Sequence, residues 1–173
     1  MLLRMAGLVR ESVVDGPGIR MVVFVQGCPH HCPGCHNPDS HDPAGGYASS
    51  TEEIIADLPD GKLVCGVTLS GGEPFAQAPA LALIAEAAKS KGLSVVTYTG
   101  YLFEKLLERG AQEPAVAELL QHTDLLVDGP FEQERRDLNL AFRGSVNQRL
   151  IDVPASLQAG HIVEWVDSGW SYD

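Results

Sequence analysis

The sequence predicts an α/β fold, a parallel sheet with flanking helices curved into a partial, open β/α barrel of a single domain spanning residues 1–173. Three observations point there. Short apolar runs alternate with helical patterns along the chain, the signature of βαβ units. The runs are nearly continuous and β-branched, as in strands buried on both faces. The 173 residues are too few for a complete eight-unit barrel, which typically takes about 250.

The elements follow in order. Residues 21–25 (MVVFV) form the first predicted strand. Ser50 and Thr51 can cap a helix over 50–58, and Glu52 and Glu53 suit its first turn. Residues 63–69 form the second strand. Pro79 fits the first turn of a helix running to about 89, with Leu81, Ile84 and Ala88 on one face. Residues 93–97 form the third strand, and Leu102, Leu106 and Leu107 mark a third helix. Pro114 opens a fourth, with Val116, Leu119 and Leu120 inward. Residues 124–127 form the fourth strand, 149–153 a weaker fifth and 161–166 a final edge strand.

Twelve Lys and Arg against 23 Asp and Glu give a formal charge of −11. Such a chain has no overall field to draw phosphate backbones, which argues against nucleic acid as a partner. No apolar run approaches the roughly 18 residues of a membrane span. The first ten residues carry Arg4 and Arg10 and lack a signal peptide's apolar stretch. A cytoplasmic location is therefore expected, in which the four cysteines are reduced and serve as ligands or core residues.

The unusual residues follow the strands. Gly27-Cys28, Ser70-Gly-Gly-Glu-Pro74, Tyr98-Thr-Gly-Tyr101 and Asp128-Gly-Pro-Phe131 each lie where a predicted strand ends. In parallel α/β sheets that rim is where sites are built. The first segment continues as Cys28-Pro-His-His-Cys32-Pro-Gly-Cys35-His-Asn37, a CxxxCxxC spacing. Pro29, Pro33 and Gly34 allow the turns that bring three sulfurs to one metal centre. A structural zinc site is one reading, with His30, His31 or His36 as the fourth ligand. A [4Fe–4S] cluster is the other. Electron-transfer clusters take four cysteines, so three would leave one iron open for chemistry. Cys65 lies inside the second strand run and is expected to be a buried small hydrophobe.

These cysteines, followed by Gly71-Gly-Glu-Pro74, resemble the radical S-adenosylmethionine (SAM) enzymes. Within them the chain resembles the anaerobic ribonucleoside-triphosphate reductase activating proteins. The late motifs Leu126-Val-Asp-Gly-Pro-Phe131 and Arg143-Gly-Ser-Val-Asn-Gln-Arg149 carry that narrower likeness. His36 departs from the Tyr found in many of those activators, and Cys-His-Asn resembles the pyruvate formate-lyase activators.

The resemblance implies a [4Fe–4S] cluster on Cys28, Cys32 and Cys35, and SAM as the second cofactor. Gly34, Cys35 and His36, with Gly71, Gly72 and Glu73, are then expected to bind SAM. The two glycines would allow close backbone approach, and the Glu73 carboxylate would accept from the SAM ammonium. It further implies reductive cleavage of SAM to methionine and a 5′-deoxyadenosyl radical. That radical would take hydrogen from a glycine of anaerobic ribonucleotide reductase, with a flavodoxin- or ferredoxin-type donor supplying the electron. Another glycyl radical enzyme, or a small molecule as in 7-carboxy-7-deazaguanine synthase, is the alternative substrate. A metal-binding module without activity is the third reading.

Other residues have two readings each. Tyr98 to Tyr101 suit contacts to adenosine or aromatic packing. Asp15 suits a turn or a cation beside SAM. Asp128 suits ribose or a helix cap. Arg143, Asn147 and Arg149 suit a partner protein or a brace for the last strand. His41, His122 and His161 are expected to be surface or satisfied structural residues.

Overall fold

The computed structural model describes residues 1–167. Seven strands form one sheet in the order β3-β1-β2-β4-β5-β6-β7. They are β1 (Leu2–Ser12), β2 (Arg20–Val25), β3 (Tyr47–Ser50), β4 (Gly66–Gly71), β5 (Ser94–Tyr98), β6 (Leu125–Asp128) and β7 (Arg149–Asp152). The middle four, β2, β4, β5 and β6, are parallel. The flanking pairs are antiparallel, so the sheet ends in two edges and the barrel is open.

Helices α1 (Thr51–Ala56), α2 (Ala78–Ser90), α3 (Phe103–Gly110) and α4 (Pro114–Gln121) lie in the crossovers, and α5 (Val153–Ala159) follows β7. Alternation decides which side chains meet them. Met21, Val23 and Val25 of β2 join Val67, Leu69, Val95 and Leu126 in the core shared with Leu81, Ile84, Leu106 and Leu119 of the helices. The opposite sheet face holds a smaller cluster of Val96, Leu125 and Val127. It also holds Arg20, which is fully buried. All five of its N–H groups donate, to Thr68 Oγ1, Pro17 O, Val67 O and both oxygens of Ser94.

Several expectations need correction. The predicted strand at 161–166 is not a strand. It makes one bridge, Ile151 to Glu164, with Val163 O and Trp165 N bonded to the β7 edge. The second strand begins at Gly66 rather than 63. Leu102 and Leu107 are exposed, and of that trio only Leu106 is buried. Strands β1 and β3 and helix α5 carried no clear sequence signal. The α1 start matches its prediction. Ser50 Oγ accepts from Glu53 N, and the Glu53 carboxylate accepts from Ser50 N, a reciprocal box that satisfies two otherwise orphan donors.

Leu81 and Leu83 share α2 but not its buried face: Leu81 is 0% exposed and Leu83 is 40% exposed. Leu81→Ala should lower unfolding free energy by about 2–5 kcal/mol, because a cavity remains in a close-packed core. Leu83→Ala should cost well under about 1 kcal/mol. Urea melts of the two variants check this.

Candidate active site

Each parallel strand delivers its following loop to one end of the sheet. Between those loops lies a cavity of about 500 Å³. Cys28, Cys32 and Cys35 all line it, as do Gly71, Gly72 and His36. The three cysteines are half-buried and free of disulfides. Burial pushes the Cys28 thiol above its ordinary value, so forming its thiolate calls for a neighbouring positive charge or a metal. Cys65 sits at the amino end of β4, roughly 20 Å of strand from the glycine turn. It is half-buried rather than fully enclosed, with its sulfur against Ile19 O and Pro17 O.

The chemistry of the set fits an iron–sulfur cluster. Three thiols line one cavity, and each would take its own corner of a cube of iron and sulfide. His30, one candidate for a fourth zinc ligand, uses one ring nitrogen within the protein. Its Nε2 donates to Glu73 Oε2 at 2.6 Å. Its ring packs edge-on against Tyr101.

Glu73 joins three of the loops at this end of the sheet. It is fully buried and stands behind the cavity wall. Oε1 accepts from Phe75 N at 3.0 Å and Thr99 Oγ1 at 2.9 Å. Oε2 accepts from Gly100 N at 2.9 Å besides His30. Four donors from the loops after β2, β4 and β5 thus meet one carboxylate. These four bonds hold the rim together.

The glycine turn has a packing reason of its own. Gly71 has φ +96°, and a Cβ there would lie 2.5 Å from Val25 N. A Cβ on Gly72 would lie 2.3 Å from Gly27 O. The β4 turn therefore presses directly on the loop that carries Cys28, held by Gly72 N to Val25 O and Glu73 N to Gly27 O. Gly34 lies against the Gln133 side chain, which joins the cysteine loop to the segment after β6.

The remaining predicted residues divide. Tyr98 and Asp15 line the cavity, and burial pushes the Tyr98 phenol well above its ordinary value. Tyr101 instead lies under the Arg109 guanidinium at 4.8 Å, the packing alternative. Asp128 is buried and accepts from Phe103 N, the first residue of α3. It also accepts from Arg149 Nε and Nη2, so it serves as a helix cap and an ion-pair partner. Arg149 pairs with Glu104 as well, bracing β7 against α3. Asn147 donates to Pro130 O. His41, expected to be a surface or satisfied structural residue, lines the cavity, and its buried Nε2 has no hydrogen-bond partner among the described residues. Phe24, Phe131 and Phe142 also line the cavity. Phe131 ends the motif already noted after β6, whereas nothing in the local pattern marks Phe24 as a wall residue.

A family model described as a 4Fe-4S single cluster domain matches residues 14–151. The anaerobic ribonucleoside-triphosphate reductase-activating protein of Vibrio cholerae is 37% identical over 145 residues, covering 79% of this chain and 90% of that one. The chain belongs to this activating-protein family. Its Salmonella typhimurium relative is 39% identical with the same coverage. The pyruvate formate-lyase-activating enzyme of Clostridium pasteurianum is 39% identical over 122 residues, 67% of this chain and 47% of that one. Among solved structures, QueE from Escherichia coli overlaps with a TM-score of 0.46 at 19% identity, over 58% of this chain and 53% of that one. No helix among the described residues is long and apolar enough to cross a membrane.

Two measurements follow from the polar contacts. Glu73→Gln replaces an acceptor-only group with an amide whose N–H₂ faces donors. It should destabilise the protein by about 2–4 kcal/mol in urea melts, as lost bonds to a buried charge do. Arg149 holds the Glu104 carboxyl below its ordinary value of 4.5. The contribution is present above that pH and is lost as pH falls through the lowered folded value. Wild type and Glu104→Gln should differ by under about 1 kcal/mol at neutral pH, since the pair is exposed. The two should converge in melts as the pH falls below 4.5 through the lowered value.

Proposed function

We propose that this chain, acting as one domain, activates an anaerobic ribonucleotide reductase by generating a glycyl radical on it. The reading assigns a [4Fe–4S] cluster to Cys28, Cys32 and Cys35, and SAM to the cavity beside it. One observation supports it most: three thiols and the Gly71-Gly72 turn share one cavity at the strand ends, in a chain spanning 90% of a reductase activator. The formate-lyase activator shares only 47% of its length, which favours the reductase as partner.

A [4Fe–4S] cluster held by Cys28, Cys32 and Cys35 would supply the electron for homolytic cleavage of a carbon–sulfur bond of SAM, giving methionine and a radical that would take hydrogen from the partner's glycine. The chain's own residues position and enclose. Cys35 and His36 form one wall for the nucleoside, and Gly71 and Gly72 another; Gly34 does not line the cavity and packs against Gln133. His36 and Phe131 lie 5.4 Å apart between ring centroids, giving an aromatic surface suited to a purine. Glu73 keeps the cysteine loop and the glycine turn in register. The Tyr98 phenol is neutral at ordinary pH, and burial pushes its ionisation further out of range. The open barrel end admits a peptide loop of the partner, which excludes water while the reaction proceeds. A flavodoxin- or ferredoxin-type protein is the proposed electron donor.

Cys28→Ala, Cys32→Ala and Cys35→Ala should each abolish SAM cleavage and strip most cluster iron from the anaerobically reconstituted protein. Cys65→Ala should retain both. Iron analysis and chromatography of the nucleoside product measure this, and an equally essential Cys65 would overturn the ligand set. With SAM, reductant and a reductase, a glycyl radical signal is expected in electron paramagnetic resonance. Nucleoside release with no such signal on the reductase would overturn the proposed partner.

A further inference from the structure

Trp165 lies beyond α5, in a stretch that runs along the β7 edge. Trp165 N donates to Leu150 O at 2.9 Å, and Asp152 N donates to Val163 O at 3.0 Å. These bonds carry the indole to the sheet face opposite the main core. There it packs, with Tyr98 and Leu150, against the cluster of Val96, Leu125 and Val127. Its ring also meets Phe142 nearly edge-on, with centroids 6.2 Å apart and planes at 70°.

Phe142 belongs to the connection from β6 to β7, residues 129–148, and lines the cavity together with Leu140. Its φ is +60°, a left-handed conformation that a bulky side chain rarely adopts. Among the described residues, the other non-glycine with positive φ is His31, between Cys28 and Cys32. Such a backbone persists only where its surroundings impose it. Here a small ribbon closes below Phe142, through Asp137 N to Gly144 O and Val146 N to Arg135 O. Gln148 Oε1 also accepts from Gly144 N and Ser145 N. The ribbon fixes the backbone, and Trp165 supports the ring. Strain kept in a cavity wall points to work done by the side chain that carries it.

We propose that Trp165 is a positioning residue, holding the Phe142 ring in the wall that receives the partner's glycine loop. The inference rests on the activating role proposed above. Leu140 and Phe142 add apolar surface to the cavity. A glycine loop brings a neutral backbone with no side chain at the reacting residue, which such a surface can cover. The methionine half of SAM carries charges, whose burial against apolar rings is costly. Trp165 touches the wall from behind and does not itself line the cavity, so its effect passes through Phe142.

The test follows glycyl radical formation against reductase concentration, using the full cluster-loaded chain with saturating SAM and dithionite as reductant. W165A should raise the KM for the reductase about three- to tenfold, the scale of a lost edge-on aromatic pair, with kcat within about twofold of wild type. Its SAM cleavage without reductase should match wild type, which also shows that the variant is folded. W165F keeps a ring and should recover most of the loss. In an F142A background, adding W165A should change the KM no further, because the ring through which the indole acts is gone. An unchanged KM in W165A, additive effects in the double variant, or an equal fall in partner-free SAM cleavage would overturn the role of Trp165 alone. A wild type that cleaves SAM but forms no radical on the reductase would remove the activating reading and this inference together.

Discussion

A carboxylate with no exposed surface holds the working end of this molecule together. Removing such a charge from water costs several kcal/mol unless the protein replaces the lost hydration. Glu73 meets that demand with four donors, from His30, Phe75, Thr99 and Gly100. The donors belong to loops after three parallel strands. Satisfying the charge therefore fixes those loops relative to one another, and with them the cysteine loop on one side and the glycine turn on the other. A site on loops is precise only when something rigid stands behind it; here that support is electrostatic.

Close packing acts alongside the charge. The β4 turn lies so near the backbone after Val25 that a methyl group at Gly71 or Gly72 would collide with main-chain atoms. Gly100 is equally constrained, since a Cβ there would lie 2.4 Å from the His30 ring. The glycines at the rim thus serve the protein's own packing before any ligand arrives. On the opposite wall, the segment after β6 reaches the cysteine loop through Gln133 at Gly34 and Phe131 at His36. The open barrel is in this way bridged across its mouth.

Much of this was legible in the residues, for physical reasons that differ from element to element. Strands β2 and β6 and helices α2 and α4 have burial patterns that match simple periodicity, because a central parallel strand or a packed helix face leaves few polar positions. Strand β1 escaped notice because Arg4, Gly7, Arg10 and Glu11 interrupt it and its apolar character is confined to scattered positions such as Leu3 and Met5. Strand β3 is four residues at an edge with no apolar alternation. The three cysteines were legible because ligand spacing is local. The task of Glu73 was not, since its partners lie 43, 26 and 27 positions away at His30, Thr99 and Gly100. Nor does a sequence show that folding buries Arg109 Nη1 and Arg143 Nε without a partner among the described residues.

The central claim is that three sulfurs hold a cluster with one iron free of protein ligands, beside a cavity that takes SAM. Electron paramagnetic resonance of the reduced, cluster-loaded protein, recorded frozen before and after adding SAM, tests it most directly. Binding at the free iron predicts a clear change in the g-values of the cluster signal. A spectrum that SAM leaves unaltered, in protein whose iron content is full, would contradict the account.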